Sequence, residues 1–498
     1  MPDAGTVSAP PLVAVSNRLP VERGRAGWRP TAGGLVSALR PALEARGGAW
    51  VGWDGGVSGL PRRIEGLEVE LCPLDLDRPT LGGYYHGFSN RTLWPLLHGL
   101  VEQSLFERRW WPVYTSANER FAAAALEQVS RRGGAMLWVH DLHLMLVPAL
   151  LRRHTGDCPI GFFLHVPFPA PELFARLPWR TQLIDGLLGA DVIAFHTEEY
   201  RDNFARTCLR LRRAVTCDEG RLRLPDGRTV VTAAHPISID ADALARDART
   251  PAVERSLATL RRQFATRRVL LGVDRLDYTK GILERLRAIE LLLEQQPQLR
   301  RSLAVVQIAV PSRGEVREYR ELRRQVEAEV GRINGRFTEP AADVPVHYLF
   351  RGVRHDRLLA YYRLADVCLV TPLRDGMNLV AKEFVVSQAA ADQTGVLVLS
   401  EFTGAAEELH DALSCNPFDV EGLASTIELA LELDEEDRRQ RLARMATTVH
   451  DHDVFAWAEQ ETSALEQARP HGSRRPARAK TPRSTRSHRP GERRDRGP

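Results

Sequence analysis

Short runs of Val, Ile, Leu and Phe, each closed by polar or glycine-containing sequence, alternate with helix-period segments over nearly all of this 498-residue chain. That alternation admits few folds. Apolar runs of this length read as strands buried on both faces, and the helices between them supply the crossovers that parallel strands need. Strands are predicted at Leu12–Ser16, Ala49–Trp53, Met136–His140, Ile160–His165 and Asp191–Phe195 in the first half. The second half predicts Val269–Asp274, Leu303–Val310, Val346–Phe350, Val367–Thr371 and Gly395–Ser400. Apolar residues every three or four positions predict helices over Gly281–Glu294, Val316–Arg332 and Leu379–Ala391.

A strand-like run stops near His235-Pro236-Ile237, and a polar helical segment leads to a fresh series at Arg268. The expected fold class is α/β: two Rossmann-like, doubly wound parallel-sheet domains, residues 1–236 and 237–452, facing across a cleft. The helix 453–467, with Phe455 and Trp457 early in it, is expected to cross back and complete the first domain. Ligands of such sheets collect at the carboxyl ends of the strands.

Charge is unevenly placed. Only Lys280, Lys382 and Lys480 are lysines among 68 basic residues, so each invites a question. The formal charge of +4 also misleads, because residues 469–498 hold ten arginines and Lys480 against Glu492 and Asp495. That segment carries +9 and leaves an acidic body near −5. Its Pro, Ser, Gly and Arg content predicts a disordered basic tail over 468–498, and no aromatic residue interleaves with the arginines as base stacking would need. No nucleic-acid partner is expected. The six cysteines form no C-x-x-C pair, the first residues carry no signal-peptide pattern, and no apolar run is long enough to span a membrane, so a reduced cytoplasmic protein without a membrane partner is expected.

No G-x-x-x-x-G-K-[ST], G-x-S-x-G, H-E-x-x-H or post-strand G-x-G-x-x-G occurs. His140-Asp141-Leu142-His143 follows an apolar run and has no evident third ligand, so no metal site is expected. Asp75-Leu76-Asp77 has no Val/Ile-rich strand leading into it and reads as loop.

What remains is cationic and polar groups at strand ends. Ser16-Asn17-Arg18 ends the first run, and Gly33-Gly34 opens the next helix, either as a plain tight turn or as a close approach for an anion. Val269–Val273 runs into Asp274-Arg275-Leu276-Asp277-Tyr278-Thr279-Lys280-Gly281, where Arg275 and Lys280 suit a departing diphosphate. The strand ending at Val310 leads to Arg313. In the loop from Thr371, Asp375 can accept from sugar hydroxyls. The backbone from Gly376 through Met377, Asn378 and Leu379 to Val380 opens a helix, and Glu383 can accept from both hydroxyls of a ribose. Lys382 reads equally well as a solvated helix residue.

These strings resemble the trehalose-6-phosphate synthase family. The resemblance runs in order over about residues 12–465 and rests also on Trp50-Val51-Gly52-Trp53, Tyr84-Tyr85 through Phe88-Ser89-Asn90 to Trp94-Pro95, Trp138 to Leu144, and Phe163-Leu164-His165-Val166-Pro167-Phe168-Pro169. It implies the GT-B architecture and transfer of glucose from a nucleotide glucose, usually UDP-glucose, to glucose 6-phosphate. The α-configuration would be retained without metal or cofactor. Carried over by position, Arg18, Tyr85, Trp94, Asp141 and Arg313 would hold glucose 6-phosphate. Gly33, Gly34, Arg275, Lys280, Val353, Gly376, Met377, Asn378, Leu379, Val380 and Glu383 would hold the donor, and His165, Arg275, Lys280 and Asp375 would form the catalytic group. Family analogy implies a homo-oligomer whose other partners are small sugar phosphates.

Three departures bear on this. Val353 stands where a phenylalanine is frequent near the donor base, which loosens the expected nucleotide preference. The stretch Arg25–Pro30 around Trp28 and the tail after Gln467 match no feature of the family, and the D-x-D-x-T motif of relatives fused to a phosphatase does not occur. An aminocyclitol-joining relative would alter the glycine pair and donor loops, a 2-epimerase would not explain Tyr85, Trp94 and Asp141, and a regulatory subunit would have lost Arg275, Lys280 or Glu383.

Overall fold

The computed structural model describes residues 10–24, 27–31, 34–56, 59–156, 158–314, 316–339 and 343–468. Gly33 and the Arg-rich segment 469–498 lie outside the described residues. Among the described residues, eleven strands precede residue 235: β1 (Leu12–Arg18), β2 (Val21–Gly24), β3 (Gly27–Pro30), β4 (Ala49–Trp53), β5 (Glu70–Leu74), β6 (Met136–His140), β7 (Ile160–Phe163), β8 (Val192–Phe195), β9 (Thr216–Asp218), β10 (Arg221–Arg223) and β11 (Thr229–Ala234). Nine of them form one sheet in the order β5-β4-β1-β6-β7-β8-β11-β10-β9, parallel from β5 through β11 and closed by an antiparallel hairpin. A second sheet, β14-β13-β12-β15-β16-β17, is parallel throughout. Its strands are β12 (Arg268–Arg275), β13 (Leu303–Val310), β14 (Val346–Leu349), β15 (Val367–Val370), β16 (Val396–Ser400) and β17 (Leu413–Cys415).

Period-two burial explains why the apolar runs are continuous. Leu12 and Ala14 enter one core while Val13 and Val15 enter another, so both faces of β1 are covered. In β12, Val269, Leu271 and Val273 likewise separate from Leu270. The helix Val454–Gln467, capped by Asp453, returns to the first sheet: Trp457 packs 5.1 Å from both Trp138 and Phe163. Gly161 leaves room there, since a Cβ at that position would meet Leu465 at 2.9 Å.

The ten expected strands form, three with the expected bounds and the rest with ends shifted by one or two residues; β7 stops at Phe163 and leaves His165 in the following loop. The apolar pattern does not announce the short strands that join them. Among these, β5 is an edge strand that tolerates Pro73; it contains no Val or Ile and leads into Asp75-Leu76-Asp77, which form the expected loop. Asp77 caps a helical turn, accepting from the Thr80 backbone N–H at 2.8 Å. No helix among the described residues is long and apolar enough to cross a membrane.

Candidate active site

Numbered within its own sheet, each sheet carries the order 3-2-1-4-5-6, so strand order reverses between β1 and β6 in one and between β12 and β15 in the other. Crevices form at such reversals, outside the carboxyl ends of the strands. The two reversals face a shared cavity of about 870 Å³. Arg18, His140, Asp141, His165 and His196 line it from the first sheet; Arg275, Lys280, Asp375 and Glu383 line it from the second.

The second-sheet wall is built on a buried ionic support. Fully buried Arg285 donates to Asp274 Oδ2 at 2.6 Å, to Gln307 Oε1 at 2.8 Å and to Thr371 Oγ1 at 3.0 Å, tying the ends of β12 and β15 together. Gly281 takes a left-handed φ of 61°, and a Cβ there would sit 2.2 Å from the Thr371 carbonyl, so the loop after β12 needs glycine at this point. Lys280 Nζ then reaches Asp375 Oδ2 at 2.5 Å. Burial pushes the Asp375 carboxyl up, but the charge and hydrogen bond of Lys280 outweigh it and hold the group below its ordinary value. Asn378, at φ 80°, leads into the helix Leu379–Ala389, whose first turn has no side-chain cap and whose opening residues line the cavity. Its N-terminal N–H groups are thus available to an anion.

Asp375 accepts from Lys280 and Asn378 on Oδ2 and from the following N–H of Gly376 on Oδ1, which fixes the carboxylate and the loop at the cavity and leaves Oδ1 with acceptor capacity. One expectation needs correction on this wall. Lys382 is not solvated: it is buried, ion-paired with Glu408 at 2.6 Å and bonded to the Ile237 carbonyl at 3.1 Å, which pins the interdomain segment to the second sheet. Glu383 accepts from the Tyr362 hydroxyl at 2.8 Å, and burial raises its carboxyl above the ordinary value.

The first-sheet wall is aromatic and rich in histidine. Consecutive parallel strands β6, β7 and β8 bring His140, His165 and His196 together, with His165 ring centroids 5.4 and 5.6 Å from the other two. Burial lowers all three, His165 to about 4, so the rings are neutral near pH 7. Asp141 adopts φ 74°, an expensive conformation for a residue with a Cβ. Burial raises its carboxyl, yet the His143 side chain at 3.4 Å more than offsets this and holds it far below the ordinary range. Tyr85 stacks on His143 at 5.6 Å, and the Arg18 guanidinium lies 5.6 Å from the Trp53 ring.

Where the walls meet, Trp94 enters between two arginines, with Arg313 3.9 Å and Arg275 5.3 Å from its ring. Its indole N–H donates to Asp277 at 3.3 Å, and Asp277 also receives Arg313 at 2.8 Å and the Tyr319 hydroxyl at 3.1 Å. Tyr85 comes from a π-helix, Gly82–Leu93, of a kind common at functional sites. Gly83 and Gly87 let it lie against Val113 and Trp110, where a Cβ would approach to 2.8 and 2.7 Å. Gly376 performs the corresponding service across the cleft, since a Cβ there would meet the His165 carbonyl at 2.4 Å.

Of the expected residues, Arg18, Asp141, His165, Arg275, Lys280, Asp375, Met377, Asn378, Leu379, Val380 and Glu383 line the main cavity. Tyr85, Trp94 and Arg313 form the cluster beside it, and Gly34 opens the helix Gly34–Ala45. Val353 lines a different cavity of about 330 Å³. Sequence reasoning misses His140 and His196 as site residues, together with the support formed by Arg285, Gln307 and Tyr319. A histidine directly at or after three successive apolar runs is the available signal for the first two.

Residues 10–467 match the family model of glycosyltransferase family 20. The chain is 45% identical over 477 residues to a trehalose-6-phosphate synthase of Mycobacterium avium, covering 92% of this chain and 96% of that one. It is 44% identical over 494 residues to its counterpart in Mycobacterium tuberculosis, covering 94% and 97%. Among solved structures, it is similar to an Escherichia coli protein of this kind bound with UDP-2-fluoro glucose, at TM-score 0.84 and 37% identity over 92% of this chain and 99% of that one. A UDP-forming α,α-trehalose-phosphate synthase of Burkholderia xenovorans in complex with glucose-6-phosphate gives TM-score 0.83 and 35% identity, over 92% and 100%. Two facing doubly wound sheets, a cleft at their strand-order reversals and these matches lead to one conclusion: the chain belongs to glycosyltransferase family 20, among the trehalose-6-phosphate synthases.

Proposed function

We propose that this chain moves glucose from UDP-glucose to glucose 6-phosphate, giving α,α-trehalose 6-phosphate and UDP with the α-configuration retained. The observation that carries this reading is the cavity itself, which sets Arg275, Lys280 and an uncapped helix N-terminus opposite three neutral histidines. Cations and backbone N–H groups aimed at one place stabilise charge that develops on a leaving diphosphate. A hydrolase of glycosidic bonds would instead need two carboxyl groups free to flank the bond. Of the four carboxyl groups lining the cavity, Asp274 and Asp375 are paired with Arg285 and Lys280, Asp141 lies against His143 and Glu383 accepts from the Tyr362 hydroxyl.

In this mechanism Arg275, Lys280 and the N–H groups of Leu379 and Val380 hold the diphosphate, and Glu383 accepts from the ribose. His165 contacts the transferred glucose. Arg18, Tyr85, Trp94, Asp141 and Arg313 hold glucose 6-phosphate on the same face as the departing phosphate. As the glycosidic carbon–oxygen bond breaks, the leaving phosphate oxygen takes the proton of the attacking hydroxyl, so the sugar is replaced from the side it left. The fixed cations then carry the charge that a metal neutralises in other transferases.

Purified protein should release a nucleoside diphosphate only when nucleotide glucose and glucose 6-phosphate are both present, and added chelator should leave the rate unchanged. UDP-, ADP- and GDP-glucose are compared in one experiment, with UDP-glucose expected to lead. Absence of release with all three would overturn the proposal.

A further inference from the structure

We propose that His140 is a positioning residue that fixes the His165 ring with its proton on Nδ1, so that His165 meets the transferred sugar as a hydrogen-bond donor. This rests on the reading above that His165 contacts that sugar. His140 is fully buried at the end of β6, and its Nδ1 lies 3.2 Å from His165 Nε2 with the rings 27° apart. Between two neutral imidazoles such a contact has one proton, carried by either ring.

The surroundings decide which. The other ring nitrogen of His140, Nε2, is buried without a partner, and so are the indole nitrogens of Trp138 and Trp457. Trp138 lies 4.8 Å from His140 and 5.1 Å from Trp457. An indole nitrogen can only donate. A proton on His140 Nε2 would put a third unsatisfied N–H in this aromatic pocket, whereas a bare Nε2 adds the only acceptor among those three nitrogens. The lower-cost arrangement places the His140 proton on Nδ1 and donates it to His165 Nε2. His165 must then carry its own proton on Nδ1. The cavity therefore sees an N–H that can donate to a sugar oxygen.

Nitrogen-15 NMR of the full chain, labelled at histidine and with His165 assigned by its loss in H165A, reads the tautomer directly. A bare Nε2 and protonated Nδ1 on His165 are expected; a protonated Nε2 would overturn the proposal. In H140F the His165 tautomer should become mixed and kcat/KM for the nucleotide glucose should fall roughly tenfold to a hundredfold. KM for glucose 6-phosphate should hold, and H140N, which keeps a donor near the Nδ1 position, should recover most of the loss. Unaltered kinetics and tautomer in H140F would contradict the positioning role. The underlying reading fails separately: full turnover in H165A would refute the sugar contact, while lost turnover in H165A beside an unaltered H140F would refute His140 alone.

Discussion

The two walls of the cleft solve opposite electrostatic problems with the same strand-end geometry. On the first sheet, burial drives His140, His165 and His196 to neutrality, and the walls of their pocket are the aromatic rings of Trp138, Phe163 and Trp457. On the second, three buried aspartates near the cavity are each matched to a cation: Asp274 to Arg285, Asp277 to Arg313 and Asp375 to Lys280. The neutral histidine pocket on the first sheet suits the uncharged hydroxyls of a sugar, and the charges held by their counterions on the second suit a diphosphate. The difference shows how one fold, used twice, divides recognition between its halves.

Breaking the charged wall at its cavity face should have the largest effect. R275A or K280A should each lower turnover by about a hundredfold to a thousandfold, since each removes charge aimed at the leaving group. Steady-state kinetics with saturating glucose 6-phosphate checks this, and near-normal turnover would assign the leaving-group role elsewhere. Below the surface of the same wall, R285M leaves Asp274 as an unpaired buried charge. It should destabilise the protein by about 3–5 kcal/mol in chemical denaturation.

A neutral histidine buried beside the cleft, under Trp94, should reveal itself through acid. A histidine whose folded pKa lies below its unfolded value binds fewer protons when folded, so its contribution to stability declines as pH falls from about 6.5 toward its folded pKa. His98, bonded to the Trp94 carbonyl at 2.7 Å, is lowered by burial to about 4. In that window it should cost about 1.4 kcal/mol per pH unit, which H98N should remove from the slope of stability against pH. An unchanged slope in H98N would contradict the assignment of a neutral buried ring. The smallest effect belongs to the half-exposed Arg91–Glu318 pair, which joins the π-helix to the helix Arg317–Phe337 at 2.7 Å. R91A should change stability by less than about 1 kcal/mol.

Much of this contrast is legible in the order of residues along the chain. Buried parallel strands write themselves as continuous apolar runs, and the residues following them, Arg18, Asp141, His165, Arg275 and Asp375, must fall at one end of the sheets. What escapes is set by contacts distant in sequence. Nothing near Arg285 announces that Asp274, Gln307 and Thr371 converge on it, and Lys382 looks solvated until Glu408 and Ile237 are brought beside it. The π-helix carries only the four-residue spacing of Gly83 and Gly87 as a trace of its close packing. β5 is hidden by Pro73, which an edge strand accommodates and an interior strand would not.

The most direct test of glucose transfer with retention is the product formed from UDP-glucose labelled with carbon-13 at the anomeric carbon, followed by NMR with glucose 6-phosphate present. The label should appear in an α,α-linked trehalose 6-phosphate, one molecule for each UDP released. A β-linked product, or label released as free glucose at the rate of UDP formation, would contradict it.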